Sequence, residues 1–138
     1  MTSTVFPNGV TSDVIGNVTG NVTGDVTGNL SGAVKRPVQV GSANGAITIK
    51  DGFVVLTKAG VAAMTLADPT ATTDDGKELT VIALTANAHT VTIASGLNGA
   101  GAGADVGTFG GAVGDRFTVV AYNGKWYASG VNVNVTFA

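Results

Sequence analysis

The chain has 138 residues, a formal net charge of −2 and 12% charged residues, about half the share that is usual in soluble domains. No basic cluster is larger than Lys35-Arg36, which argues against nucleic-acid binding through a charged patch. Cysteine is absent, so disulfides, thiolate chemistry and cysteine-based zinc sites are excluded. The length allows one domain preceded by an arm.

The first ten residues, MTSTVFPNGV, have neither a basic start nor an apolar stretch, so we expect no secretory signal. No apolar run approaches the roughly 20 residues of a membrane span, and no membrane partner is predicted. Hydrophobic residues nevertheless make up 44% of the chain. Low charge combined with high apolar content suggests that part of the surface is hidden against other subunits.

Residues 16–32 read GNVTGNVTGDVTGNLSG, four near-copies of one tetrapeptide. Apolar residues continue this four-residue step on both sides of the repeat. They are Val10, Val14, Val18, Val22, Val26, Leu30, Val34 and Val38. A step of four is close to one helical turn, but a glycine also recurs every fourth position, and each interior glycine costs a helix about 1 kcal/mol.

An extended chain fits this register better, because four is twice the strand period and places all eight apolar residues on one face. The opposite face is built from Asn, Asp, Thr and Ser. A lone strand of this kind buries almost nothing, whereas three copies around an axis can pack their valines together. We therefore predict an extended, trimer-forming arm over residues 1–41. A flexible linker stays open as the alternative, although a linker has no reason to keep register.

Residues 42–138 are predicted to form a β domain, which begins with strands at 46–50 and 53–58. Asp51-Gly52 between them is a hairpin signal for a type I′ turn. The segment 61–67 is compatible with a further strand, and 68–77 has the composition of a loop.

ELTVIALT (78–85) is predicted to be a buried strand, with the alternating HTVTI (89–93) as its neighbour. Seven glycines in 96–111 indicate a loop, with a short strand around 105–109.

Asn123-Gly124 predicts a second hairpin between 115–122 and 125–129. Residues 131–137 alternate strictly. Because no segment shows helical periodicity, the predicted fold class is all-β, a small antiparallel sandwich or barrel.

No catalytic, cofactor or metal site is predicted. His89, the only histidine, shares a strand face with Val91 and Ile93 and is interpreted as a hydrogen-bonded residue at a sheet edge. Asp74-Asp75-Gly76 lacks the spaced oxygen ligands of a calcium loop, and turn chemistry explains it equally well. Gly101–Gly111 has no following Lys-Ser/Thr and is interpreted as a mobile or interface loop.

Four aromatic residues, Phe117, Tyr122, Trp126 and Tyr127, lie close to the second hairpin. We predict that they belong mainly to the core, although a surface that stacks on a sugar or a partner protein is the alternative. An enzyme is the weakest hypothesis, since only separated carboxylates such as Glu78 and Asp115 could serve it.

Two parts of the sequence resemble phage virion proteins. The tandem GNVTGNVTGDVTGNLSG is similar to the low-complexity trimeric stems of phage fibres and spikes. The segment from FVVLTK to HTVTI, followed by TFGGAVGDRFTVVAYNGKWY, resembles small β domains of phage structural genes, notably head decoration (cement) proteins. The ending GDRFTVVAYNGKWY is the more distinctive part, and the resemblance spans about Asn17 to Tyr127.

This resemblance implies a homotrimer on the capsid surface, seated at three-fold or quasi-three-fold positions. There it would clamp neighbouring major capsid protein subunits against the pressure of the packaged DNA, without catalytic residues or cofactors. The alternative that the repeat leaves open is a tail fibre or tail spike module. Such a module would bind a host-surface glycan through the aromatic hairpin or the glycine-rich loop.

Overall fold

A computed structural model describes residues 31–138. Six of the predicted contact residues, Val10, Val14, Val18, Val22, Val26 and Leu30, lie outside the described residues. The compact unit begins at Val34. Its strands are β1 (Val38–Gly41), β2 (Gly45–Ile47), β3 (Gly52–Leu56), β4 (Ala63–Leu66), β5 (Glu78–Ala83), β6 (Thr90–Ile93), β7 (Val106–Phe109), β8 (Arg116–Tyr122), β9 (Lys125–Ala128) and β10 (Val135–Phe137).

Two five-stranded sheets pack face to face. Sheet A has the order β1-β3-β5-β8-β9, and sheet B has the order β10-β7-β6-β4-β2. From β1 to β6, successive strands alternate between the sheets, so the chain winds as a coil of three turns. Within each sheet, the strands of successive turns pair in parallel. The later strands join both sheets in antiparallel pairs. The predicted all-β sandwich is confirmed, but the expected antiparallel direction applies only to the pairs made by β7 to β10.

The core lies between the sheets and follows from the two-residue period of the strands. In β3, for example, Gly52, Val54 and Leu56 are buried while the residues between them are only partly buried. The largest fully buried side chains are Trp126, Phe109, Phe117, Leu56, Leu66, Leu79 and Ile93. Besides strands, the described residues contain two 3₁₀ turns, Leu97–Gly99 and Gly101–Gly103, and no helix long and apolar enough to cross a bilayer.

The hairpin predicted at Asp51-Gly52 is wrong, because β2 and β3 belong to different sheets. A type I′ turn needs a positive φ at both central residues. Gly52 has a φ of 98°, but Asp51 does not have a positive φ. The Asp51 carboxylate instead accepts a hydrogen bond from Nη2 of Arg36 at 2.6 Å. The turn therefore carries the chain from sheet B across to sheet A.

The second predicted hairpin is confirmed. Asn123 and Gly124 have φ values of 47° and 74°, and they join β8 to β9 in register, with Tyr122 opposite Lys125. The strands predicted in 78–85 and 89–93 also form, as β5 and β6. They are not neighbours, because the connection between them crosses from sheet A to sheet B.

The remaining strand predictions agree with the structure. The segments 61–67, 105–109 and 131–137 contain β4, β7 and β10, and 68–77 has no strand. The first strand, β1, lies within the span assigned to the arm and pairs with β3.

Side chains satisfy the backbone where the coil crosses between sheets. The Gln39 amide nitrogen donates to the carbonyl of Ala46 at 2.8 Å, and its oxygen accepts from the amide of Thr48 at 2.8 Å. On another crossing, the Asn44 side-chain oxygen accepts from Nζ of Lys58 at 2.8 Å and from the amide of Ala63 at 3.0 Å. These contacts tie consecutive turns of the coil together.

Gly52, at the end of the crossing from β2 to β3, provides a test of the close packing there. A Cβ at this position would collide with the carbonyl oxygen of Pro37, which accepts the Phe53 amide at 2.9 Å, and the positive φ adds strain. We expect Gly52→Ala to lower the free energy of unfolding by about 2–4 kcal/mol. The melting temperature should fall by about 10 °C or more.

The matched control for thermal unfolding is Gly60→Ala, because a Cβ there meets no atom within 4 Å and no left-handed φ is involved. This variant should stay within about 0.5 kcal/mol of the parent. Equal melting temperatures for the two variants would show that the close approach of Gly52 to Pro37 does not constrain the fold.

Candidate interaction surfaces

The two described members of the predicted contact register are exposed. Val34 is 68% exposed and Val38 is 58% exposed. Val38 opens β1, and by strand alternation its side chain lies with that of Val40 on the outer face of sheet A. Neither side chain of the register contributes to the core of the single chain.

Sheet A presents an apolar region on its outer face near β1. Val40, Val55 and Ile82 form one cross-strand row, and Val38 and Phe53 begin the next row. Leu84 continues the outward alternation of β5 and is 48% exposed. We call these six side chains the apolar corner: Val38, Val40, Phe53, Val55, Ile82 and Leu84.

The outer face of sheet B has a different chemistry. Its cross-strand rows consist almost entirely of threonine and alanine, and most of these residues are exposed. The outward residues are Ala46, Ala63, Thr65, Thr90, Thr92, Thr108 and Thr136, with one larger apolar residue, the partly buried Val106. A solvent-exposed face of a sandwich normally carries small or polar residues. The outer face of sheet B fits this pattern, and the apolar corner of sheet A does not.

An ion-pair network borders the apolar corner. Arg36 lies 2.6 Å from an oxygen of Asp51 and 3.5 Å from one of Glu78, and its guanidinium stands 5.6 Å from the centre of the Phe53 ring. The hydrogen bond from Arg36 lowers the pKa of Asp51 below its usual value. Sequence reasoning missed this network, because the partners of Arg36 lie 15 and 42 residues away in the chain.

His89 is fully buried, and both ring nitrogens have partners. Nδ1 accepts from the amide of Ala62 at 2.9 Å, so Nε2 carries the proton and donates to the Thr85 hydroxyl at 3.0 Å. The hydroxyl donates in turn to the carbonyl of Lys58 at 2.8 Å. Burial lowers the pKa of His89. The interpretation as a hydrogen-bonded residue is confirmed, although β6, which follows it, lies inside sheet B rather than at its edge.

The Asp74-Asp75-Gly76 segment is a hydrogen-bonded turn. Asp74 is buried and pairs with Nζ of Lys77 at 2.7 Å, and its other oxygen accepts from the amide of Thr70 at 2.7 Å. Asp75 accepts from the amide of Asn123 at 2.8 Å. Over residues 31–138, no three His, Cys, Asp or Glu side chains are grouped as a metal site would need.

Asp115 ties the last strand to the domain. Its buried carboxylate accepts from the amide of Ala112 at 2.8 Å and from the side-chain nitrogen of Asn134 at 3.1 Å. The hydrogen bond from Ala112 lowers the pKa of Asp115. Glu78, the other carboxylate considered for an enzyme, is held by Arg36 and accepts from the hydroxyl of Ser129 at 3.2 Å.

The aromatic cluster divides between the core and the surface. Trp126 and Phe117 are fully buried, and Nε1 of Trp126 donates to the carbonyl of Ala67 at 2.9 Å. Tyr122 is 63% exposed and Tyr127 is partly buried. Trp126 has no free ring face on which a sugar could stack, so the aromatic hairpin offers a glycan only its tyrosines.

A depression of about 270 Å³ lies on the outer face of sheet B. It is lined by Thr65, Leu66, Ala67, Thr92 and Ala94, none of which is charged. Ligand sites usually combine an apolar pocket with a few convergent polar groups. Two hydroxyls on a row of small side chains do not supply that arrangement.

Comparisons of this chain with protein-family models, with curated proteins and with solved structures find no match.

His89 makes stability depend on pH in a defined range. Because its pKa is lower in the folded chain, the unfolded chain takes up the proton first as the pH falls below about 6.5. The melting temperature should therefore decline between pH 7 and pH 5. His89→Gln should be less stable at pH 8 by about 1–3 kcal/mol, because buried partners lose their hydrogen bonds.

The chain has one histidine, so that variant should also lose most of the decline between pH 7 and pH 5. Thermal unfolding of both proteins across this range is the measurement. The same slope in the variant and the parent would contradict the assignment of the effect to His89.

Proposed function

We propose that this chain is a structural virion protein that decorates a phage capsid as a homotrimer and clamps neighbouring major capsid protein subunits. The observation that carries the proposal is the register of eight apolar residues at four-residue steps. Its last two members are exposed, Val34 ahead of β1 and Val38 on β1 at the edge of the all-β sandwich. A seam shared by three chains gives these side chains a place to be buried.

The roles of the ionisable side chains support a structural function. His89 and Asp115 are buried and hydrogen-bonded to the backbone, and Asp74 is buried in an ion pair with Lys77. Each of these groups holds a turn or a crossing in place. These buried ionisable side chains therefore stabilise the fold of the described domain.

The surface supports an assembly role. Apolar surface contributes roughly 25 cal/mol per Å² when it is buried, so a valine seam and an apolar sheet face can hold subunits together without charge. Many copies on one shell then add modest contacts into a strong attachment. In this proposal residues 10–38 lie along the capsid and between subunits, and the sandwich faces solvent.

The valine register can be tested on the arm. Val22→Asp with Val26→Asp places charges on the apolar face, which is costly wherever that face is buried between chains. We expect the trimer to dissociate at concentrations at least ten times higher than for the parent, and capsid occupancy to fall. Light scattering measures the mass, and gel analysis of sedimented capsids measures the occupancy.

The matched control is Thr23→Asp with Thr27→Asp, which adds the same charges to the other face of the same segment. This control should remain trimeric and bind capsids like the parent. Equal behaviour of the two double variants would contradict a seam in this register.

The location in the virion is a separate test. Purified protein should bind expanded capsids that lack it and raise their melting temperature. Antibody against the chain should label virion heads in negative-stain microscopy. Labelling confined to the tail, or a protein that does not bind capsids, would overturn the decoration role and favour the tail fibre or spike.

A further inference from the structure

We propose that the apolar corner of sheet A is the surface through which the sandwich domains of neighbouring copies of this chain pack against each other. The inference rests on the proposed homotrimer and adds a second interface to the arm. It assigns this face to a copy of the chain rather than to the major capsid protein.

The corner has the composition of an interface core. Its six side chains are aliphatic or aromatic, and three of them, Val38, Val40 and Leu84, are among the eight large apolar side chains that are most exposed in residues 31–138. Charged groups surround the corner instead of interrupting it. Arg36, Asp51 and Glu78 lie on one side, and Arg116 stands opposite Ile82 on the other. An apolar centre inside a polar rim is the usual anatomy of a protein interface.

The edge of sheet A gives a second reason. β1 is the edge strand, and within the described part of the chain its outer side pairs with nothing. Natural edge strands are commonly guarded by charges, proline or a covering segment. β1 reads VQVG, without a charge, and unlike the other uncharged edge strands, β2 and β10, it carries two exposed valines, both of which belong to the corner. An edge of this kind is expected to be covered in the working assembly.

The register of apolar residues in the arm indicates which molecule covers the apolar corner. Val38 is the last of the eight apolar residues at four-residue steps and also a member of the apolar corner. If three chains bring their Val38 side chains to one axis, the three β1 strands arrive at that axis together. The remaining residues of each corner, which lie on the same sheet face as Val38, must then face the neighbouring copies. A capsid protein on this face would have to displace them.

Variants outside the arm register test the corner independently of the arm. Val40 is 59% exposed and Leu84 is 48% exposed, so Val40→Asp with Leu84→Asp should leave the fold of one chain intact. We expect the trimer of this variant to dissociate at concentrations at least ten times higher than for the parent. The control, Ala63→Asp with Thr65→Asp, adds the same charges to the wet face of sheet B and should not change the mass. Circular dichroism checks that both variants are folded.

Thiol reactivity tests the interface without requiring a variant that destabilises the trimer. The chain has no cysteine, so Val40→Cys and Thr65→Cys each carry a single thiol. In the free trimer a maleimide should label the thiol at position 40 at least ten times more slowly than the thiol at position 65. At concentrations low enough to separate the chains, the two rates should converge.

The outcomes separate this inference from the proposed function. A trimer that survives Val40→Asp with Leu84→Asp and labels both thiols equally fast overturns the corner interface and leaves the homotrimer standing. A thiol at position 40 that is exposed in the free trimer but protected on capsids assigns the corner to the capsid protein and also overturns the inference. A parent protein that is monomeric at all concentrations overturns both proposals.

Discussion

The fold depends on one constraint, which is that the chain crosses between two sheets after each of its first strands. A crossing segment cannot use the hydrogen bonds of a ladder, and buried backbone groups left without partners are costly. Side chains from adjacent turns supply some of the missing partners, from charged residues such as Lys50 as well as from uncharged ones. Gln39 serves the crossing after β2, and Asn44 joins the first crossing to the segment before β4. Thr85 and His89 continue the same principle on the third turn. Such contacts explain how a domain with few charges, no cysteine and short strands can hold a parallel coil.

The antiparallel half of the domain covers the coil and anchors its later turns. Trp126, on β9, fills the core and donates to the carbonyl of Ala67, which lies directly after β4 in the other sheet. Asp115 fixes Asn134, and so holds the chain just before β10 against the loop that precedes β8. Trp126 connects two segments that lie in different sheets. The Asp115 contact reinforces two segments that are also joined by the backbone bridge between Arg116 and Val133. The outer faces of the sheets are therefore free to differ, one with threonine and alanine and the other with larger apolar residues.

The sequence predicted the strands well and their partners poorly, for a physical reason. Alternation reports which residues face the core, and a buried residue in sheet A has the same pattern as one in sheet B. Thus alternation predicts strands at 78–85 and 89–93. It does not show that the two strands lie in different sheets, on opposite sides of the core. The turn residues predict the correct pairing of two strands only at Asn123-Gly124, where both residues adopt a positive φ. Asp51-Gly52 carries a similar signal, but the ion pair with Arg36 engages the aspartate. The apolar corner was equally hidden, because it assembles residues from three strands that are adjacent only after the coil has formed.

The four-residue step of apolar residues in the sequence continues through Val34 to Val38, the first residue of β1. Val34 and Val38 keep the step of the repeat, and Val40, two residues after Val38, lies with it on the outer face of sheet A. An apolar face that is covered only in a trimer contributes to stability only when the trimer forms, so by mass action the stability of such a domain rises with protein concentration. A small domain without disulfides can obtain from its neighbours the stability that its own core does not supply.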